Sequence, residues 1–218
     1  MKSPLKFMTD HAGRRQILLW TAVVLWTGGV GLGTRILMTY ESTPGPRANA
    51  PYLWPASSSI KRAPSLPTIV VFAHPHCPCT RATIGELAIL MTRVYGQTTA
   101  AVVFIDPDGV PEHWAETDLW RDAAAIPGVT VVGDRGDREL DLFGAQASGQ
   151  TMLYDADGHL KFNGGITAAR GHSGDNVGRS SIVALITGDG DAVAEYSVFG
   201  CNLHSPTISL NQEDGNGR

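Results

Sequence analysis

The segment His74-Pro75-His76-Cys77-Pro78-Cys79-Thr80 constrains this chain more than any other. An apolar run, Thr68-Ile69-Val70-Val71-Phe72-Ala73, leads into it. Apolar residues at helical spacing (Ile84, Leu87, Ala88, Met91, Val94) lead out of it. The run reads as a buried strand and the spaced residues as a helix from Cys79 to Tyr95. Two cysteines therefore fall where a strand hands over to a helix. Amide groups at a helix start have no partner inside the helix and carry partial positive charge. A sulfur placed there is favoured as thiolate, the form that attacks disulfides and binds metal ions.

The same alternation continues downstream. Ala100–Ile105 reads as a second buried strand, ended by the turn Asp106-Pro107-Asp108-Gly109. Pro111–Ala125 reads as a helix with proline in its first turn, Val129–Val132 as a third strand, and Arg138–Phe143 as a short helix stopped by Gly144. Thr151–Tyr154 and His159–Asn163 flank the turn Asp155-Ala156-Asp157-Gly158 and read as a hairpin. Val177–Thr187 is the last expected helix. Strand–helix alternation followed by a hairpin and a helix predicts an α/β fold with a mixed sheet of four to five strands and helices on both faces.

The N-terminal part is of a different kind. Residues 17–34 carry no charge, and extending them to residue 38 adds only Arg35. At 1.5 Å per residue such a stretch crosses a hydrocarbon core of roughly 30 Å. Lys2, Lys6, Arg14 and Arg15 precede it, so positive charge stays inside and the bulk of the chain lies outside. Residues 39–218 hold 12 basic against 20 acidic residues, in keeping with that division. The expected organisation is a cytoplasmic segment over 1–16, a signal-anchor transmembrane helix over 17–38, a linker over 39–66, a domain over 67–204 and a disordered tail over 205–218. A cleaved signal peptide is the rival reading; it leaves the domain on the same side. The linker is rich in Pro, Ser and Ala, with prolines at 44, 46, 51, 55 and 64, and reads as an extended spacer. Gly28, Gly29, Gly31 and Gly33 follow no strand and do not form a dinucleotide loop.

Three cysteines are too few for a disulfide-stapled scaffold, and a net charge of −4 gives no sign of nucleic-acid binding. His172, Ser173 and Asp175 carry the residue types of a hydrolase triad but no nucleophile elbow. Asp175 or Asn176 is better read as the cap of the last helix.

The order of elements, with cysteines at the first strand–helix junction, resembles the thioredoxin-like superfamily. The likeness is to its membrane-anchored TlpA/ResA-type branch and, more closely, to RedB-type thioredoxin-like proteins. It is carried by VVFAHPHCPCTRATIGEL (70–87), VGDRGDRELDLFGA (132–145) and TMLYDADGHLKFNGGIT (151–167). The resemblance implies a three-layer thioredoxin-like sandwich and a thiol–disulfide oxidoreductase. It further implies protein thiol or disulfide substrates outside the cytoplasm, at a bacterial inner membrane, with the domain facing the periplasm or the cell exterior. Two departures stand out. The family motif has two residues between the cysteines, and this chain has one. The family's cis-proline maps to about Gly149 or Gln150, and no proline is there.

In that chemistry Cys77 is the N-cap thiolate that attacks, Pro78 opens the helix, and Cys79 is the resolving thiol. His74 and His76 add positive charge or relay protons. A disulfide across one residue is strained, which predicts a more readily reduced couple than a two-residue spacing gives. No cofactor is needed. In the alternative, Cys77 and Cys79 join His74 and His76 to hold copper(I) or zinc, as a copper-binding module would. A redox-inactive adaptor is the third reading. Cys201 is open to three assignments: a third redox thiol, a metal ligand with His204 nearby, or a small buried apolar residue.

Overall fold

A computed structural model describes residues 5–204, with side chains from residue 13 on; the expected tail over 205–218 lies outside them. The N-terminal helix α1 covers Leu5–Ser42. Its part from Gly13 to Ser42 has a mean hydropathy of 1.6 and is long and apolar enough to cross a membrane. Ile17, Trp20, Leu25 and Trp26 all present more than half of their surface, as a helix dissolved in lipid would.

The domain forms a separate compact unit that begins at Thr43. Its elements run β1 (Thr68–Ala73), α2 (Pro78–Arg93), β2 (Thr99–Asp106), α3 (Asp118–Ala124), β3 (Val129–Arg135), α4 (Arg138–Phe143), β4 (Gln150–Tyr154), β5 (Leu160–Gly164) and α5 (Val177–Thr187). The sheet order is β3-β2-β1-β4-β5. β1, β2 and β3 are parallel, while β4 runs antiparallel to both β1 and β5. β1 is central and buried on both faces, which is why its sequence is an unbroken apolar run rather than an alternating one.

Strand alternation divides those residues between two cores. Ile69, Val71 and Ala73 face Leu87, Leu90 and Met91 of α2, Leu119 and Ala123 of α3, and Ile182 of α5. Val70 and Phe72 face Leu140 and Phe143 of α4, with Met152 and Tyr154. Helices thus cover both faces, giving the mixed five-stranded sandwich expected from the sequence.

Two segments differ from the sequence expectation. Pro111–Ala125 does not form one helix: residues 111–117 make turns, and α3 starts only at Asp118. His113 has φ of 63°, which breaks any continuous helix there. The Pro-rich stretch read as an open spacer is ordered against the domain. Gly45 N donates to Val198 O at 2.8 Å and Asn49 N to Gly144 O at 3.0 Å. Trp54 packs edge-on against both Phe143 and Tyr154, with ring centroids 5.2 Å apart in each pair. Ser58 and Ser59 donate three hydrogen bonds to the buried Glu139 carboxylate. Prolines exclude helix and strand, yet leave an extended chain able to satisfy its polar groups on a partner.

Asp134 at the end of β3 explains how α4 starts. Its carboxylate accepts from the N–H of Glu139 and Leu140, at 2.9 and 2.8 Å, supplying the cap that Asp137 does not. On the other face, α2 and α5 are joined by a buried ion pair between Glu86 and Arg179.

Candidate functional site

The chain leaves β1 at Ala73 and turns through His74–Cys77 before α2 begins. Cys77 N donates to His74 O at 3.2 Å, and Cys77 is the N-cap, with extended φ and ψ of −91° and 125°. Pro78 opens the helix, as its missing N–H permits. Thr80 fastens the turn, its hydroxyl donating to His74 O at 2.9 Å and lying 2.8 Å from Ser148 Oγ. Ser148 Oγ in turn accepts from His74 N at 3.0 Å.

The structure brings three sulfurs together. The Sγ atoms of Cys77, Cys79 and Cys201 all lie within 4.8 Å of one another. Cys201 is the one whose thiol reaches Cys77, at an Sγ–Sγ separation of 3.3 Å. Cys201 follows α5 on a returning segment whose Asn202 bridges Ala147, just ahead of β4. With this segment against the cysteine turn, Cys77 and Cys79 are only 5% and 7% exposed.

Burial by itself raises the Cys77 thiol. The Cys201 hydrogen bond, the amides of Cys79 and Thr80 and the Cys79 thiol outweigh burial and hold Cys77 below the ordinary thiol value. No N–H caps Cys77 with hydrogen-bond geometry, so the amides act on the sulfur as helix-end dipoles. Burial, together with the neighbouring Cys77 charge, pushes Cys79 up to about 12. Cys201 is also raised, first by burial and then by its bond to Cys77, while the Arg170 guanidinium opposes both shifts. Of the three thiols, Cys77 is therefore the one that ionises most readily.

The histidines do not join the cysteines. They sit in the turn rather than on the strand, and their rings pack on Trp114, with centroids 5.5 Å away for His74 and 4.6 Å for His76. His74 Nδ1 accepts from His76 N at 3.1 Å, and His76 Nε2 lies 3.2 Å from Trp114 O. Burial and the adjacent His76 lower the His74 pKa, favouring a neutral ring. Among the described residues, the soft-metal set is three cysteines rather than two cysteines with His74 and His76. His204 is also elsewhere, with Nε2 3.2 Å from Ala145 O.

Trp114 walls the histidine turn, and Arg170 Nη1 donates to Gly200 O at 2.6 Å, beside Cys201. The absence of proline before β4 has a structural counterpart. Ser148 N donates to Cys201 O, Gly149 N to Phe72 O and Gln150 N to Ala147 O, and a proline at any of these positions would remove one of those bonds. No peptide bond among the described residues is cis.

No protein-family model matches the chain, and no curated protein matches it. Solved structures do. A hypothetical protein of Sinorhizobium meliloti aligns at 21% identity over 73% of this chain and 93% of that one, with a TM-score of 0.54. An uncharacterized conserved protein of Geobacillus kaustophilus aligns at 17% identity over 76% and 94%, also with a TM-score of 0.54. A secreted Mycobacterium tuberculosis disulfide oxidoreductase homologous to E. coli DsbE aligns at 12% identity over 56% and 81%, with a TM-score of 0.41. The fold of this chain is thioredoxin-like: a mixed five-stranded sheet between helical layers, with the cysteine turn at the head of the first domain helix.

Proposed function

We propose that the protein is a thiol–disulfide oxidoreductase tethered to a bacterial inner membrane by residues 17–38. Its domain faces the periplasm or cell exterior and acts on protein thiols and disulfides there. The observation that carries this reading is the Cys77 sulfur at the N-terminus of α2, held below the ordinary thiol value with two further thiols within 4.8 Å. A thiolate with a thiol in reach is what disulfide exchange requires: the first attacks, and the second resolves the mixed disulfide. The motif spacing nominates Cys79 as the second thiol. His74 and His76, with Pro78, shape the turn that presents Cys77.

The test is reduction of a model protein disulfide by the full-length protein in detergent micelles. Cys77→Ser is expected to fall to the uncatalysed rate. A Cys77→Ser protein that exchanges as fast as the parent refutes the reading.

A second reading is favoured by the three clustered sulfurs, which suit trigonal thiolate binding of copper(I). Copper bound stoichiometrically by the reduced protein, and lost in a Cys77→Ser/Cys79→Ser double variant, would support it. A reduced protein that takes up no copper and exchanges disulfides refutes it.

A further inference from the structure

We infer that Cys201, rather than Cys79, closes the disulfide with Cys77, and that residues 198–203 are a built-in resolving arm. This rests on the proposed attack by Cys77. Three observations carry it.

The first is direction. Cys201 Sγ is 3.3 Å from Cys77 Sγ, and the two sulfurs are in hydrogen-bond contact. Cys79 lies only two residues from Cys77, inside the first turn of α2, where Thr80 N already bonds Cys77 O at 3.0 Å. Cys77 is the extended N-cap and Cys79 the second helical residue, and although their sulfurs lie within 4.8 Å, a bond between them would close a ring across a single residue. So small a ring departs from the preferred disulfide torsions and separations. Bringing Cys201 to bonding distance requires only a small closing movement.

The second is that the arm is anchored. Cys201 O accepts from Ser148 N at 2.8 Å, and Leu203 N donates to Gln146 O at 2.9 Å. Arg170 grips Gly200 O, and the Val198 and Leu203 side chains are buried. A Cβ on Gly200 would collide with the Ser148 carbonyl oxygen, so the arm lies backbone to backbone against the loop before β4. A side chain that merely drifted past would need none of this.

The third is layering. Cys77 is nearly closed off, while Cys201 is half-buried on the returning segment that covers it. A substrate disulfide reaches Cys77 when the arm lifts, and the arm returns to complete the reaction.

The exchange balances as follows. The Cys77 thiolate attacks one sulfur of a substrate disulfide. An S–S bond forms between Cys77 and that sulfur, the substrate's own S–S bond breaks, and the other substrate sulfur leaves as a thiolate. The Cys201 thiol passes its proton through water to that thiolate and attacks Cys77 Sγ. The Cys77–Cys201 bond forms, the mixed disulfide breaks, and the second substrate sulfur leaves as thiolate and takes a proton from water. Two electrons and two protons reach the substrate, and the protein dithiol becomes a disulfide. Cys79, kept protonated, donates to Cys77 and is not consumed.

The experiment treats reduced full-length protein in detergent micelles with one equivalent of the chromogenic disulfide 5,5′-dithiobis(2-nitrobenzoate). Parent protein and Cys79→Ser are expected to release both aromatic thiolates. Cys201→Ser is expected to release one and to retain the other as a mixed disulfide on Cys77, seen by intact mass. Peptide mapping of the oxidised parent, which needs no variant, is expected to find Cys77 joined to Cys201. Trapping by Cys79→Ser with normal turnover by Cys201→Ser, or a mapped Cys77–Cys79 bond, overturns the inference. Rapid release that survives in Cys77→Ser refutes the attack by Cys77 itself, and is thereby told apart from a failure of Cys201.

Discussion

Gly200→Ala is the sharpest single perturbation of the arm. The methyl group would meet the backbone carbonyl of Ser148, which is itself fixed between β1 and β4, and not a flexible side chain that could rotate away. Overpacking of this kind costs about 1–3 kcal/mol, and it falls only on the closed arm because the lifted arm has no such contact. At about 1.36 kcal/mol per factor of ten, the lifted fraction rises by about 5- to 150-fold. Alkylation of a covered thiol tracks the open population when opening and closing are fast. The assay is the rate of iodoacetamide labelling at Cys77, resolved at peptide level by mass spectrometry. It is run at about pH 10, above the ordinary thiol value, so that loss of the Cys201 hydrogen bond does not mask greater access. Cys77 labelling is expected to rise by that factor while circular dichroism stays unchanged. A folded Gly200→Ala protein that labels at the parental rate refutes the argument that residues 198–203 guard Cys77.

Three further outcomes are expected. In a pH series the parental Cys77 labels with an inflection below the ordinary thiol value, because the thiolate is favoured down to lower pH; Cys201→Ala removes a donor to that thiolate and moves the inflection upward, as rate-against-pH curves will show. Arg179→Leu leaves Glu86 buried without its cation and costs about 3–5 kcal/mol in urea unfolding; Glu86→Leu leaves Arg179 its exposed partner Asp175 and costs less, and the double variant costs less than the sum of the two. Trp54→Ala removes two aromatic contacts of about 0.5–1.5 kcal/mol each, so about 1–3 kcal/mol is lost in the same measurement, whereas an undocked 43–66 segment would show no change.

The best-read parts of the sequence were those where a local pattern marks both the burial of an element and where it ends. β1 is an apolar run bounded by proline and histidine, α5 has Ile182, Leu185 and Ile186 at helical spacing and stops at Gly188, and α4 ends at Gly144 in the left-handed conformation. The cysteine turn was legible for the same reason, since Pro78 and the pattern after it fix where a helix can begin. Residues 111–117 misled because proline suits a helix start equally well as a turn. What decided otherwise was the left-handed His113 and the docking of Trp114 on the two histidines.

The chain's own order of residues determined the sandwich, an apolar helix long enough to cross a membrane, and a sulfur at the head of α2. Only the folded molecule decided which groups surround that sulfur. Cys201 lies 124 residues beyond Cys77, and the Ser58–Glu139 contact spans 81. Pairings of that kind carry no periodicity, because they join side chains on segments far apart in the sequence, which meet only once the sheet between them is closed.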